Sequence, residues 1–220
     1  MEAKKVFPGV YRIEGKIATK SLAPGTTVYG ELTRKIGGDE YRFWDQRRSK
    51  LGAALVKGLR TMPIIPGSKV LYLGAASGTT ASHVSDIVGE NGLVYCVEFS
   101  ARAMRDLIAV CEKRENMVPI LADVRMPEAY ECDVPKVDVV YEDVADREQA
   151  RILLENAAKF LPAGRLAAIA IKARCVSAAA NPKQVYSQVL SQLHPVFEIV
   201  EKIDLAPFEM DHLFAVLRKK

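Results

Sequence analysis

Val70-Leu71-Tyr72-Leu73-Gly74-Ala75-Ala76-Ser77-Gly78-Thr79-Thr80 reads as a buried strand that runs into a glycine-hinged turn and then the N-terminus of a helix. An open α/β sheet makes a nucleoside-binding crevice in this way, at the carboxyl ends of its strands. Gly74 and Gly78 let the backbone approach a ligand, and Ser77, Thr79 and Thr80 offer hydroxyls and free N–H groups where the helix begins. A second apolar run, Leu93–Val97, ends in Glu98-Phe99, 24 residues beyond Gly74. That separation is close to the roughly 20 residues at which an acid can accept both hydroxyls of a ribose.

The glycine pattern narrows the ligand. Gly-x-Gly-x-x-Gly is absent, and Gly-Ala-Ala-Ser-Gly lacks the third, close-packing glycine that a pyrophosphate-bearing dinucleotide needs. A glycine turn, an acid after the second strand and another after the third (Ala122-Asp123) together resemble the S-adenosyl-L-methionine site of Rossmann-like methyltransferases.

Composition sets the bounds. The 220 residues are 49% hydrophobic and 26% charged, the range of a globular chain long enough to bury a full core. No apolar run reaches a membrane-spanning length, and Met1-Glu2-Ala3-Lys4-Lys5 carries no apolar leader, so the expectation is a cytoplasmic protein without a membrane partner. Cys96, Cys111, Cys132 and Cys175 form no Cys-x-x-Cys pair, which argues for reduced thiols and against a metal site. The charge is lopsided. Residues 1–50 hold 11 Lys/Arg against 6 Asp/Glu, whereas the rest hold 20 against 21. Arg34, Lys35, Arg42, Arg47, Arg48 and Lys50 interleave with Tyr41, Phe43 and Trp44, a mixture suited to a polyanion with stackable bases.

Short alternating segments at 10–13, 16–19 and 27–32, punctuated by Pro-Gly and Gly-Gly pairs, predict a small β-rich N-terminal domain over residues 1–45. A helix is expected over 51–62, closed by Pro63 and Pro66-Gly67. Strands near 69–74, 93–98, 117–122, 137–142 and 164–172 then alternate with helices near 79–89, 101–114, 147–160 and 182–193. Two last strands near 196–205 and 212–218 have no helix between them. The expected fold over 46–220 is therefore α/β, a Rossmann-like sheet of the class I methyltransferase type that ends in an antiparallel hairpin. Strand four delivers Asp143 to the carboxyl edge, and strand five ends in Lys172 at the same rim.

The pattern resembles the fibrillarin family of S-adenosyl-L-methionine-dependent RNA 2′-O-methyltransferases, over essentially the whole chain. The resemblance is densest in Arg48–Leu51, Val70–Gly89 and Gly92–Ser100. It continues in Asp143–Ala145, Ile171–Ala173 and Pro207–His212. It implies a catalytic set at Lys50, Asp143, Lys172 and His212, and cofactor contacts at Gly74, Ala75, Thr79, Thr80, Glu98, Phe99, Asp123, Val124, Asp143, Val144, Ala145 and Asp146. It also implies assembly into a box C/D ribonucleoprotein, with guide RNA pairing to target rRNA or tRNA, a Nop-family scaffold and a kink-turn-binding ribosomal-type protein. Three departures stand out. Asp146 replaces the family's usual Gln, Val124 replaces an alanine, and Trp44-Asp45-Gln46-Arg47 replaces Trp-Asn-Pro-Tyr.

The chemistry suits these residues without the family. A ribose 2′-hydroxyl is a weak nucleophile that must be aligned and relieved of its proton during attack. Two lysines near one another repel, which favours a neutral amine able to act as base, while Asp143 opposes that effect and orients it. Lys172 is the expected base, Lys50 an electrostatic guide, and His212 an orienting hydrogen-bonder; His83 and His194 are read as structural. Two alternatives are a non-catalytic subunit of the same particle and a guide-independent methyltransferase acting on protein glutamine or a small molecule.

Overall fold

The computed structural model describes residues 2–220. Its first sheet is antiparallel, in the order β1-β2-β3-β5-β4, from β1 (Lys4–Phe7), β2 (Val10–Ile13), β3 (Lys16–Lys20), β4 (Thr33–Ile36) and β5 (Asp39–Phe43). Glu14-Gly15 and Gly37-Gly38 turn the β2/β3 and β4/β5 hairpins with positive φ at both residues, the twist that two-residue hairpins prefer.

The segment 27–32, expected as a strand, is an irregular loop. The Glu31 carboxylate accepts the N–H groups of Val28 (3.1 Å) and Tyr29 (2.9 Å), so this backbone wraps a side chain instead of joining a ladder. Arg42 Nε holds the same carboxylate at 2.7 Å. Arg42 is fully buried, and Tyr41, Phe43 and Trp44 are buried too, so the basic-aromatic cluster does not form one exposed RNA-facing patch. Linear charge density misled because β5 is covered on both faces: Tyr41 and Phe43 pack with Ile13 and Ala18 on one, and Arg42 turns to Ser82 and Asp86 of the segment 79–88 on the other.

The second sheet has the order β11-β12-β10-β9-β6-β7-β8. Its parallel members are β6 (Lys69–Leu73), β7 (Leu93–Glu98), β8 (Met117–Leu121), β9 (Val139–Glu142) and β10 (Leu166–Lys172). β12 (His212–Lys219) runs antiparallel to β10 and to β11 (Phe197–Asp204), which gives the expected terminal hairpin. Helices cover both faces. Leu51 and Leu55 of α1 (Lys50–Val56), Val84 and Ile87 of α2 (Thr79–Val88) and Leu107 of α3 (Ala101–Cys111) pack on one apolar cluster. Ile152, Leu153 and Phe160 of α4 (Gln149–Phe160) and Val185 and Leu193 of α6 (Pro182–Leu193) pack on the other. A short α5 (Ala173–Val176) follows β10 directly.

The helix α1 stops well before residue 62. Gly58 turns out of it at φ 91°, and the Glu201 carboxylate takes the N–H groups of Arg60 (3.1 Å) and Thr61 (2.8 Å), which an α-helix would have used internally.

A buried polar knot joins the first sheet to α2. Arg42 bonds Asp86 at 2.7 Å and Ser82 at 2.9 Å, and Arg114 bonds Asp86 at 2.6 Å. Thr19 donates its only hydroxyl proton to Asp86 (2.8 Å), so His83 Nδ1–H donates to Thr19 Oγ1 (2.8 Å) and Nε2 accepts from the Tyr29 hydroxyl (2.7 Å). Burial, with the Arg42 and Arg114 guanidiniums beside it, pushes His83 well below its ordinary value and outweighs the nearby Asp86. The neutral ring stacks on Trp44 at 4.5 Å. Both this knot and the buried imidazole agree with a structural role for His83.

Candidate active site

The carboxyl ends of the parallel strands form a rim whose first element is the turn after β6. Gly74 has φ 81°, and a Cβ there would meet the Asp143 carbonyl oxygen at 2.9 Å, so only glycine lets β6 and β9 end this close together. Beside it opens a cavity of about 260 Å³, lined by Gly74, Glu98, Phe99, Asp123, Val124, Asp143, Val144, Ala145, Asp146 and Lys172 among the expected residues. Ala76, Val97 and Arg125 complete the wall.

Glu98 is fixed from below. Its Oε2 accepts the Ala76 N–H (2.9 Å) and its Oε1 the Ser100 N–H (2.8 Å), which leaves the remaining lone pairs for a ligand diol. Phe99 next to it is 73% exposed, an apolar ring free to pack on a flat heterocycle. Asp123 is gripped by Arg125 through Nη2 (2.6 Å) and the backbone N–H (2.9 Å), which lowers its carboxyl below the usual range. Arg125 also reaches Asp146 at 3.9 Å. The acid that stands in place of the family's usual Gln is thus partly neutralised from across the cavity.

Ala75, Thr79 and Thr80 lie differently. Ala75 is buried in the apolar cluster under α2, and Thr80 turns inward to donate its hydroxyl to Ser49 (3.0 Å). Thr79 lines a neighbouring cavity with Ser77 and Arg48.

The four expected catalytic residues gather where Asp143 and Lys172 form the edge of this cavity. Lys172 Nζ stands 2.8 Å from Asp143 Oδ1 and donates to the Asp143 carbonyl at 2.9 Å. Lys50 Nζ approaches the same Oδ1 at 3.6 Å and Glu209 at 3.8 Å. Ser49 caps α1, its hydroxyl accepting the Gly52 N–H at 3.1 Å, and so sets Lys50 at the start of that helix. His212 is the register partner of Lys172 across β10 and β12. Its Nδ1–H donates to the Met210 carbonyl at 2.6 Å, which frees Nε2 to accept.

Sequence reasoning missed three residues here. Gln149 is fully buried; its Oε1 accepts the Lys172 N–H (3.0 Å), and its Nε2 donates to the Lys172 carbonyl (3.3 Å) and to the Asp146 carbonyl (2.8 Å). One side chain thereby clasps the end of β10 to the 143–146 loop. Glu209 lay inside the motif Pro207–His212 but had no assigned role; it faces both Lys50 and, at 4.0 Å, His212. Glu142 is wholly buried, and neither carboxyl oxygen has a hydrogen-bond partner among the described residues. Burial pushes this acid well above its ordinary value and favours its neutral form. The pull of Lys172 opposes the shift, and the charges of Asp143 and Asp146 reinforce it.

A family model described as Fibrillarin matches residues 1–220. A fibrillarin-like rRNA/tRNA 2′-O-methyltransferase from Thermococcus onnurineus is 53% identical, covering 98% of each chain. The solved Aeropyrum pernix fibrillarin in complex with natively bound S-adenosyl-L-methionine superimposes with a TM-score of 0.88 at 45% identity, covering 98% of this chain and 99% of that one. A fibrillarin chain solved in a complex with Nop5p superimposes with a TM-score of 0.90 at 38% identity, covering 99% and 100%.

Proposed function

The chain belongs to the fibrillarin family, and from that premise we propose that it methylates ribose 2′-hydroxyls of rRNA and tRNA with S-adenosyl-L-methionine as methyl donor. The observation that carries this reading is the Lys50–Asp143–Lys172 cluster, two lysine side chains converging on one carboxylate oxygen, at the edge of the Glu98–Phe99–Asp123 cavity.

The cavity's chemistry fits the donor. A carboxylate with spare lone pairs (Glu98) answers to the ribose, an exposed ring (Phe99) and an acid for an amino donor (Asp123) to the adenine, and a close turn at Gly74 to the nearby chain. Asp143, Val144, Ala145 and Asp146 would hold the amino-acid end, and Val124 would pack beside the base. When bound, the donor supplies an electrophilic methyl group. Lys172, once its amine has released its own proton to solvent, takes the hydroxyl proton as attack proceeds; Asp143 orients that amine through Oδ1 and the main-chain carbonyl. Lys50 stabilises the developing negative charge, and His212 holds the hydroxyl or its neighbour through Nε2.

Site choice belongs to partners. The positive charge outside residues 1–50 is balanced by negative charge, and the cluster's aromatic residues Tyr41, Phe43 and Trp44 are buried with Arg42, which leaves no exposed rings to stack on bases there. The reading is therefore of a catalytic subunit positioned by box C/D guide RNA, a Nop-family scaffold and a kink-turn-binding ribosomal-type protein. The relative found in complex with Nop5p supports the scaffold. The test is single-turnover methyl transfer in the reconstituted particle. Lys172→Ala lowers the rate roughly 10²–10⁴-fold with cofactor affinity nearly unchanged, and Lys172→Arg does not rescue it. An arginine variant working at the wild-type rate would make Lys172 an electrostatic clamp and not the base.

A further inference from the structure

The turn from Gly74 to Thr79 separates two cavities. Gly74 and Ala76 face the first, described above, and Ser77 and Thr79 face the second. The second has a volume of about 320 Å³ and opens between the 26–29 loop, Arg48 and the last turn of α3 with the residues after it. Its walls are cationic. Arg48 lies over the Tyr29 ring, 5.2 Å from the centroid, and donates to the Tyr29 carbonyl at 3.2 Å. Lys113 is exposed. Neither has an acidic partner within ion-pair distance among the described residues, and Asp106 is the one acid in the wall. Arg114, only 3% exposed, is anchored through Nη1 to Asp86 (2.6 Å) and Ser85 (3.2 Å), while its Nη2 has no hydrogen-bond partner.

A buried guanidinium with one unbonded nitrogen, in the same wall as two surface cations that have no acidic partner, is recognition chemistry for a phosphate group. The cavity also sits where a substrate strand must pass. Arg48 is two residues from Lys50, so their Cα atoms are within about 7 Å. The Thr80–Ser49 hydrogen bond fixes that segment to the start of α2. We propose that this second cavity holds a phosphodiester of the RNA strand being methylated, next to the reacting ribose. The proposal rests on the RNA-methyltransferase reading above and names a contact that sets the strand's register against Lys172.

The experiment titrates the full chain against a guide–target RNA duplex by fluorescence anisotropy between low and moderate salt, with Lys113→Glu, Arg48→Ala and, as a control remote from the cavity, Lys16→Glu. The two cavity variants bind about tenfold more weakly, and each loses about one unit of the log–log salt slope, as expected for one lost phosphate contact. Lys16→Glu changes neither by a comparable amount, and calorimetry finds unaltered S-adenosyl-L-methionine affinity in all three. Titrations with inorganic phosphate alone and with a short RNA separate the sources of the phosphate. Free phosphate binding as tightly as RNA would mark an anion site unrelated to substrate and overturn the proposal. Unchanged affinity and slope in both cavity variants would overturn it as well. Single-turnover methylation by the wild-type particle is measured alongside; its absence would instead count against the functional reading, since the anisotropy result stands separately.

Discussion

Replacing Glu142 by Gln removes an ionisable group from the floor beneath Lys172 and Asp143 while keeping its shape, because a carboxamide is nearly isosteric with the neutral acid held there. The sign of the effect follows from the raised value in the fold. In the unfolded chain this carboxyl ionises near 4.5, whereas in the folded chain it keeps its proton well above that. Above pH 4.5 the native state therefore binds more protons than the unfolded one. The contribution to stability is fully present below that pH and is lost as the pH rises, at about 1.4 kcal/mol per pH unit while the buried acid stays protonated. The Gln variant has no such loss. Its advantage over the wild type therefore grows as the pH rises above 4.5. Urea unfolding at several pH values reads this directly through Trp44, the single and buried tryptophan, with each variant compared to the wild type in the same buffer. Two results would refute the reasoning. A stability difference that does not change with pH would mean that Glu142 does not titrate differently in the fold. A Gln variant that weakens relative to wild type as pH rises would mean that Glu142 is ionised and paired with Lys172.

Glu98→Ala orphans the Ala76 and Ser100 N–H groups and removes the candidate ribose acceptor, so calorimetric affinity for S-adenosyl-L-methionine falls by about 1.5–3 kcal/mol; an unchanged Kd would move the ribose elsewhere. Asp146→Gln restores the family's usual residue and releases Arg125 from its 3.9 Å partner; cofactor binding stays equal or tightens, and a large loss of methyl transfer would show that this chain depends on the acid. His83 is held neutral, so the unfolded chain takes up a proton below about pH 6.5 that the fold refuses. That contribution is present above pH 6.5 and is lost at about 1.4 kcal/mol per unit as pH falls below it. His83→Phe keeps a ring against Trp44 and should flatten this acid limb, at the expense of a pH-independent loss from the Thr19 and Tyr29 hydroxyls; an unchanged slope would assign the acid sensitivity to other groups.

The parts of the fold that sequence made legible are those governed by local rules. The Gly74–Thr80 turn, the acid ending β7 and the helix-free hairpin at 197–219 each follow from backbone geometry or from alternation over a few residues. The Lys50, Asp143, Lys172 and His212 set was legible through resemblance, and the structure brings all four to one rim. What escaped depends on distant partners. The 27–32 segment alternates like a strand, yet Glu31 claims its N–H groups while Arg42 holds Glu31 in place. Arg42 and Trp44 look like surface recognition residues until Asp86 and His83 arrive from α2, about 40 positions on. Gln149 resembles any polar residue in a first helical turn, and only the strand end it clasps reveals its part.

The antiparallel placement of β12 has a consequence for how the molecule comes into being. β10, Leu166–Lys172, is almost wholly apolar, and before β12 arrives one side of it is an unpaired edge, the kind of surface on which chains stick to one another. β11, although made before β12, pairs with β12 and not with β10, so it cannot cover that edge by itself. The hairpin must close as a unit. The same event that seals the adhesive edge carries His212 and Glu209 to Lys172 and Lys50. A growing chain can therefore complete its cofactor cavity, Lys172 and Asp143 included, before His212 and Glu209 reach it. The last strand thus covers the adhesive edge and completes the catalytic rim in one step.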